Sequence, residues 1–363
     1  MLRSVETCDV CYKKIDQTPI YFNVYPPALQ PQSPYPRLPA VVYFHGGGLT
    51  VGNRTSWFPN WLKARIVSAG YVFISADYRL IPSVTLHDII EDIQDAFSFL
   101  RQDGLCFKTA DGDVPFGVDP ASIAVAGSSA GGLCAYMAAL HVSPKPKAVL
   151  ALYAVGGNPF IPQCLTPKTE VFFLGRELLD PEDFSEFLYP RCKTLAPIAD
   201  SPLAYHPTDS PTPGWPANPR MPLSRLYLQL GVALDYHTGQ HEPSLSATLR
   251  SLLLDTALTA DPLALQDAMK ARIPPVHHVV FPSLNVTPSF PPTFLCHGSI
   301  DSAVPVVESE HMHALLKRAG VPVRLLVLDG ADHSFDYVPN AETLYAAHFD
   351  EMAEFVKRAL APT

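Results

Sequence analysis

Residues 8–25 alternate in short apolar and polar steps, broken at Ile15-Asp16-Gln17-Thr18-Pro19. That pattern predicts an antiparallel hairpin at the edge of a sheet. A proline-rich link follows, carrying Pro26, Pro27, Pro31, Pro34, Pro36 and Pro39, and beyond it the pattern changes. Apolar runs at residues 40–44, 71–75, 122–126 and 148–154 predict buried strands, and between them helical spacing predicts helices over about 57–69, 86–101 and 132–140. In the second helix Leu86, Ile89, Ile90, Ile93, Ala96, Phe97 and Leu100 share a face, while Asp88, Glu91, Asp92 and Asp95 fall mostly on the other and are expected in solvent. Strands apolar throughout, alternating with amphipathic helices, imply a mostly parallel, doubly wound α/β sheet covered on both sides. Ligands of such sheets gather beyond the C-terminal ends of the strands.

The alternation stops after residue 155 and resumes with a strand at 293–297, a helix near 308–319, a strand at 323–328 and a closing helix over about 341–360. Between these blocks, residues 223–236, 245–258 and 263–272 carry helical periodicity, whereas residues 181–222 hold ten prolines in 42 positions and cannot form one regular element. The expected division is a core of residues 1–155 and 292–363, with residues 156–291 inserted as a mainly helical cap. A long insertion at that point is expected to cover the ligand edge of the sheet. Its aromatics Phe172, Phe173, Phe187, Tyr189, Trp215, Tyr227 and Tyr236 suggest an apolar pocket of at least medium size.

The chain has 363 residues, 47% of them hydrophobic, and a formal net charge of −9 with Lys and Arg scattered, so nucleic acid is not an expected partner. The N-terminus lacks an apolar leader run and no segment reaches the length of a membrane span; a cytoplasmic protein is expected. Seven dispersed cysteines fit free thiols, and the lone pair Cys8 and Cys11 has neither the second pair nor the following helix that metal or redox use requires. No metal site is expected there. The sequons at Asn53 and Asn285 matter only in a secreted protein. Pairing of two chains along an edge strand is left open.

Gly127-Ser128-Ser129-Ala130-Gly131 lies between a predicted strand and a predicted helix. There the glycines let strand and helix pass closely while the central Ser129 projects its hydroxyl at a sharp turn. Serine is a weak nucleophile and needs a base oriented by a third group. His333, five residues past the last core strand, is the late histidine placed to act as base; His311 and His313 fall inside a predicted helix. Asp301 and Asp332 compete to orient it. Asp301 is favoured, because Asp332 is the chain neighbour of His333 and suits a local turn hydrogen bond. His45-Gly46-Gly47-Gly48, directly after the first buried strand, can turn the N–H groups of Gly46 and Gly47 into the site beside that of Ala130, forming an oxyanion hole.

His45-Gly-Gly-Gly48, Asp77-Tyr-Arg-Leu80, Gly127-Ser-Ser-Ala-Gly-Gly132, Gly298-Ser-Ile-Asp301 and Asp332-His-Ser-Phe335 together resemble the hormone-sensitive-lipase-like branch of the α/β-hydrolases. The resemblance implies an α/β-hydrolase fold, a triad at Ser129, Asp301 and His333, oxyanion donors at Gly46, Gly47 and Ala130, and cofactor-free hydrolysis of a small-molecule carboxylic ester or lactone. The chain departs from that branch at Ser128, where many members have Asp, at Ile81-Pro82-Ser83, at Leu49, and in its hairpin-like N-terminus, where the branch commonly builds its cap from helices. The unusual cap leaves room for a lyase, cyclase or acyltransferase acting on a specialised metabolite on the same scaffold. A non-catalytic receptor is disfavoured by the retained His333.

Overall fold

The computed structural model describes residues 3–5, 7–30, 34–109, 114–259 and 262–361; Pro31 of the proline-rich link lies outside them. Ten strands form one sheet: β1 (Arg3–Val5), β2 (Val10–Ile15), β3 (Thr18–Tyr25), β4 (Arg37–Phe44), β5 (Val72–Ala76), β6 (Leu105–Lys108), β7 (Pro115–Ser128), β8 (Val149–Leu152), β9 (Thr293–Gly298) and β10 (Val323–Leu328). Their order is β10-β9-β8-β7-β4-β5-β3-β2, with β1 and β6 attached at the start of β7. Pairing is parallel from β10 to β5, and β3 and β2 extend that edge as the expected antiparallel hairpin. The hydrophobic pattern does not mark β1, β6 or the first half of β7, which are short or lack the unbroken apolar run of the central strands.

Helix α1 (Asn60–Ser68) packs with the closing helix Ala346–Leu360 on one face, joining Trp61, Leu62, Ile66, Phe349, Met352 and Val356 in one buried cluster. Helices α2 (Leu86–Leu100) and α3 (Ala130–His141) pack together on the other face with the helix Val307–Arg318 nearby. The sheet is doubly wound, and this is the α/β-hydrolase fold. On α2 the acidic face is not simply solvated. Asp92 is fully buried, held by Lys13 Nζ at 2.8 Å and Arg79 Nε at 2.9 Å, while Asp88 accepts from Arg79 and from the Thr85 N–H. The cations come from β2 and from the loop after β5, and a helical wheel cannot show elements so distant in the chain.

Between β8 and β9 the chain forms short helices and irregular segments. The predicted helix over 223–236 is two, Leu223–Gln229 and Ala233–Thr238, separated at Gly231 with φ +64°. Residues 245–258 likewise divide into Leu245–Arg250, a 3-10 turn Ser251–Leu254 and Thr256–Thr259, whereas Pro262–Arg272 is continuous. The proline-dense stretch 181–222 holds only two 3-10 segments, Pro181–Phe187 and Arg191–Thr194, because proline both lacks a donor and fixes φ.

Candidate active site

At the end of β7 the backbone reverses so sharply that Ser129 takes φ 53° and ψ −121°, which an L-residue adopts at a cost. Gly127 and Gly131 make this turn feasible. A Cβ on Gly127 would collide with the Gly131 carbonyl, and one on Gly131 with the Phe44 carbonyl. The peptide is pinned by Ser129 N–H to Leu152 O at 2.9 Å and by Val155 N–H to Ser129 O at 3.1 Å. The serine therefore stands at the strand end, at the head of α3.

Asp301 and His333 arrive on the loops after β9 and β10. Those loops are tied to each other by Ser299 N–H to Leu328 O at 2.9 Å, Ile300 N–H to Ala331 O at 3.1 Å and Gly330 N–H to Ser299 Oγ at 2.8 Å. His333 Nδ1 lies 2.7 Å from Asp301 Oδ2, and His333 Nε2 lies 3.1 Å from Ser129 Oγ. The other Asp301 oxygen accepts the N–H groups of Ala303 and Val304 at 3.0 and 2.8 Å. Burial alone would raise the Asp301 pKa, yet hydrogen bonds from His297 and His333, the electrostatic influence of the His333 ring and the Val304 N–H hold it at about 2. The carboxylate is thus an acceptor only, which makes His333 Nδ1 the donor and leaves Nε2 free to accept the serine proton. Asp332 instead accepts the N–H groups of His333 and Ser302, at 2.7 and 3.2 Å, as a turn residue does.

The glycine loop after β4 has Gly47 at φ +108° and Gly48 at φ +61°. A Cβ on Gly47 would run into the Val51 carbonyl, and one on Gly48 into Ser224. Among the described residues the N–H groups of Gly46 and Gly47 have no hydrogen-bond acceptor, and the N–H of Ala130, first in its helix, has none within that helix. These donors border a cavity of about 350 Å³ that Ser129 and His333 also line. Leu49 and Ile81, two of the departures from the resembled branch, lie on its wall.

Further groups gather at this site. His297, at the end of β9, places Nε2 3.3 Å from Asp301 Oδ2 and 2.8 Å from Val304 O. Tyr153 stacks edge-on against His333 with ring centroids 4.6 Å apart and donates its hydroxyl to the buried Asp336 at 2.6 Å. Ser128, where a carboxylate was expected by resemblance, shares a 2.7 Å hydrogen bond with Tyr43 Oη. His297 lies four residues before Asp301, a spacing that could have drawn notice; the two tyrosines sit in apolar runs and could not.

Residues 156–291 supply one wall of the cavity, including Phe173, Leu174, Tyr227, Leu228 and Leu234. Of the seven aromatics singled out in this segment, which are expected more in its core than on the wall, Phe173 and Tyr227 line the cavity. Tyr236 stacks on Tyr227 at 3.8 Å, Phe187 is buried, and Trp215 is 62% exposed, because these side chains hold the segment together or face outward. Cys8 and Cys11 are exposed free thiols, and among the described residues no cluster of metal-binding side chains occurs. No described helix is long and apolar enough to cross a membrane.

Residues 41–183, which hold Gly46, Gly47, Ser129 and Ala130, match an alpha/beta hydrolase fold family, and residues 268–363, which hold Asp301 and His333, match the prolyl oligopeptidase family. A probable carboxylesterase, M8, of Phoma sp. is 30% identical over 149 residues, 40% of this chain and 46% of the relative. The non-reducing polyketide synthase Preu6 of Preussia isomera is 28% identical over 348 residues, and the 5-methylorsellinic acid synthase of Aspergillus terreus is 27% identical over 365 residues. Those alignments take in 92% and 96% of this chain, which spans only 14% and 13% of the two synthases. Among solved structures, an esterase of the planctomycete Thermogutta terrifontis with butyrate bound superposes with a TM-score of 0.55 at 20% identity, covering 98% of this chain and 95% of that one. The chain has the α/β-hydrolase fold, is carboxylesterase-like, and over residues 41–183 resembles the hormone-sensitive-lipase-like branch of that fold.

Proposed function

We propose that this chain is a serine hydrolase that cleaves a carboxylic ester or lactone of small to medium apolar character through an acyl-serine intermediate. The observation that carries this reading is the hydrogen-bonded chain Ser129, His333, Asp301 at the edge of a largely apolar cavity beside the free N–H groups of Gly46 and Gly47. His333 Nε2 takes the Ser129 proton as Oγ attacks the carbonyl carbon, and the N–H groups of Gly46, Gly47 and Ala130 receive the developing negative oxygen. Each such donor is worth about 3 kcal/mol in the transition state. The protonated His333 hands its proton to the leaving oxygen and then activates a water that releases the acid. Asp301 holds the imidazole in the tautomer both steps need. Residues 156–291 act as the cap that selects the substrate.

The test is turnover of p-nitrophenyl butyrate together with labelling by a serine-directed phosphonate. Both should occur in the native protein and vanish in Ser129→Ala; absence of turnover and of any adduct on Ser129 would remove the reading. A second reading, acyl transfer or release from a thioester, gains support from alignment along most of this chain with segments of polyketide synthases. It keeps the same first step with a thiolate as leaving group, and a substrate hydroxyl replaces water as acceptor in transfer or cyclisation. N-acetylcysteamine thioesters with product analysis separate the two, since transfer or cyclisation yields a new ester where hydrolysis yields free acid.

A further inference from the structure

Two of the polar side chains on the cap side of the cavity, Tyr227 and Arg225, are already engaged. The Tyr227 hydroxyl donates to Phe187 O at 3.0 Å. His237 is not. It lies on the helix Ala233–Thr238, lines the same cavity as Ser129 and His333, and neither of its ring nitrogens has a partner among the described residues. Protein encloses it elsewhere, and this loss of water by itself pushes its pKa down to about 4, with no charged group contributing. The ring is therefore neutral near pH 7, with one N–H donor and one lone-pair acceptor.

An unpartnered polar group is tolerated on an open cavity wall but becomes costly once an apolar ligand covers it. A ligand that brings its own hydroxyl or carbonyl to the ring avoids that cost. Sites built to bond a substrate hydroxyl consequently reject the analogue that lacks it far more strongly than apolar walls reject a change of size. We infer that His237 is a specificity-determining residue that hydrogen-bonds a neutral hydroxyl or carbonyl of the substrate other than the reacting carbonyl, so that the preferred substrate is an oxygenated and not a purely hydrocarbon ester. The inference rests on the ester-hydrolase reading of this cavity and names the class of compound it takes. Neighbouring wall residues Ala233, Leu234 and Leu228 offer no competing donor or acceptor from their side chains.

The experiment compares p-nitrophenyl phenylacetate with its 2-, 3- and 4-hydroxy derivatives, and benzyl acetate with the corresponding hydroxybenzyl acetates, in the native protein, His237→Leu and His237→Gln. Each kcat/KM is referred to p-nitrophenyl butyrate on the same variant, so that a general loss of folding or catalysis cancels. The native protein should favour at least one hydroxylated ester over its parent by about tenfold or more. His237→Leu should abolish that preference, and His237→Gln, which keeps a donor and an acceptor, should retain part of it. No preference in the native protein, or one that survives in His237→Leu, overturns the inference. Should no ester turn over, the esterase reading fails on its own. His237 is then read from thermal shifts with phenylacetic acid and its hydroxy derivatives, where equal stabilisation by all of them in the native protein overturns it.

Discussion

Asp301 and Asp332 stand on adjoining loops beside His333, yet one carboxylate reaches the imidazole and the other caps the turn that carries it. Replacing Asp301 with Asn keeps the shape but offers the ring an amide that no longer fixes Nδ1 as the donor. In a serine protease that change costs about 10⁴ in kcat, so Asp301→Asn should lower kcat for p-nitrophenyl butyrate by roughly 10³–10⁴. Asp332→Asn keeps an acceptor oxygen for the two N–H groups, and its turnover should stay within a few-fold of native. Comparable losses in both variants would mean that the proton-relay geometry is not what governs the rate. His237 belongs to the same scale: a single unpartnered ring on the wall favours a ligand that brings its own hydroxyl or carbonyl.

At the scale of elements, the elbow depends on how closely α3 runs past the end of β4. Gly131 faces the Phe44 and His45 carbonyls with no room for a methyl group, so Gly131→Ala must push helix and strand apart. The expected loss is about 2 kcal/mol or more, read as a lower urea midpoint with an unchanged m-value, together with a fall in kcat as Ser129 leaves its position. A stability within about 0.5 kcal/mol of native would show that the packing has slack. The pattern of apolar runs was enough to outline β4, β5, β7, β8, β9, β10 and the helices between them, because buried parallel strands must be apolar on both faces. It failed where elements are short or depend on remote partners. Gly231 broke a helix that periodicity alone would continue, and Lys13 and Arg79 drew Asp92 into the interior.

Across the whole molecule, Glu308 joins the core to the first residues of the inserted segment. Its carboxyl is buried beneath that loop and accepts the Asn158 N–H at 2.6 Å, and burial pushes its pKa up to about 7 despite that bond and those from Gly156 and Gly157. Because the folded-state value lies above the unfolded value of about 4.3, the folded protein binds the extra proton between these limits. This contribution to stability is complete below about pH 4 and is lost as pH rises toward 7. Removing the titration with Glu308→Gln should therefore improve stability relative to native as pH goes from 5 to 8, by on the order of 1 to 3 kcal/mol in chemical unfolding. A difference between the two proteins that stays constant over that range would show that Glu308 is ionised throughout.

The sequence by itself determined the hydrolase scaffold and the candidates Ser129, Asp301, His333, Gly46, Gly47 and Ala130. It could do so because an elbow needs glycines at fixed offsets and a parallel sheet needs apolar strands, and both requirements are local. Only the tertiary structure decided that Asp301 and not Asp332 meets the imidazole, that His297 and Tyr153 brace the pair, and that His237 opens onto the same cavity as Ser129. Those relations join residues far apart in the chain through loops whose paths depend on packing, and no periodicity records where such loops meet.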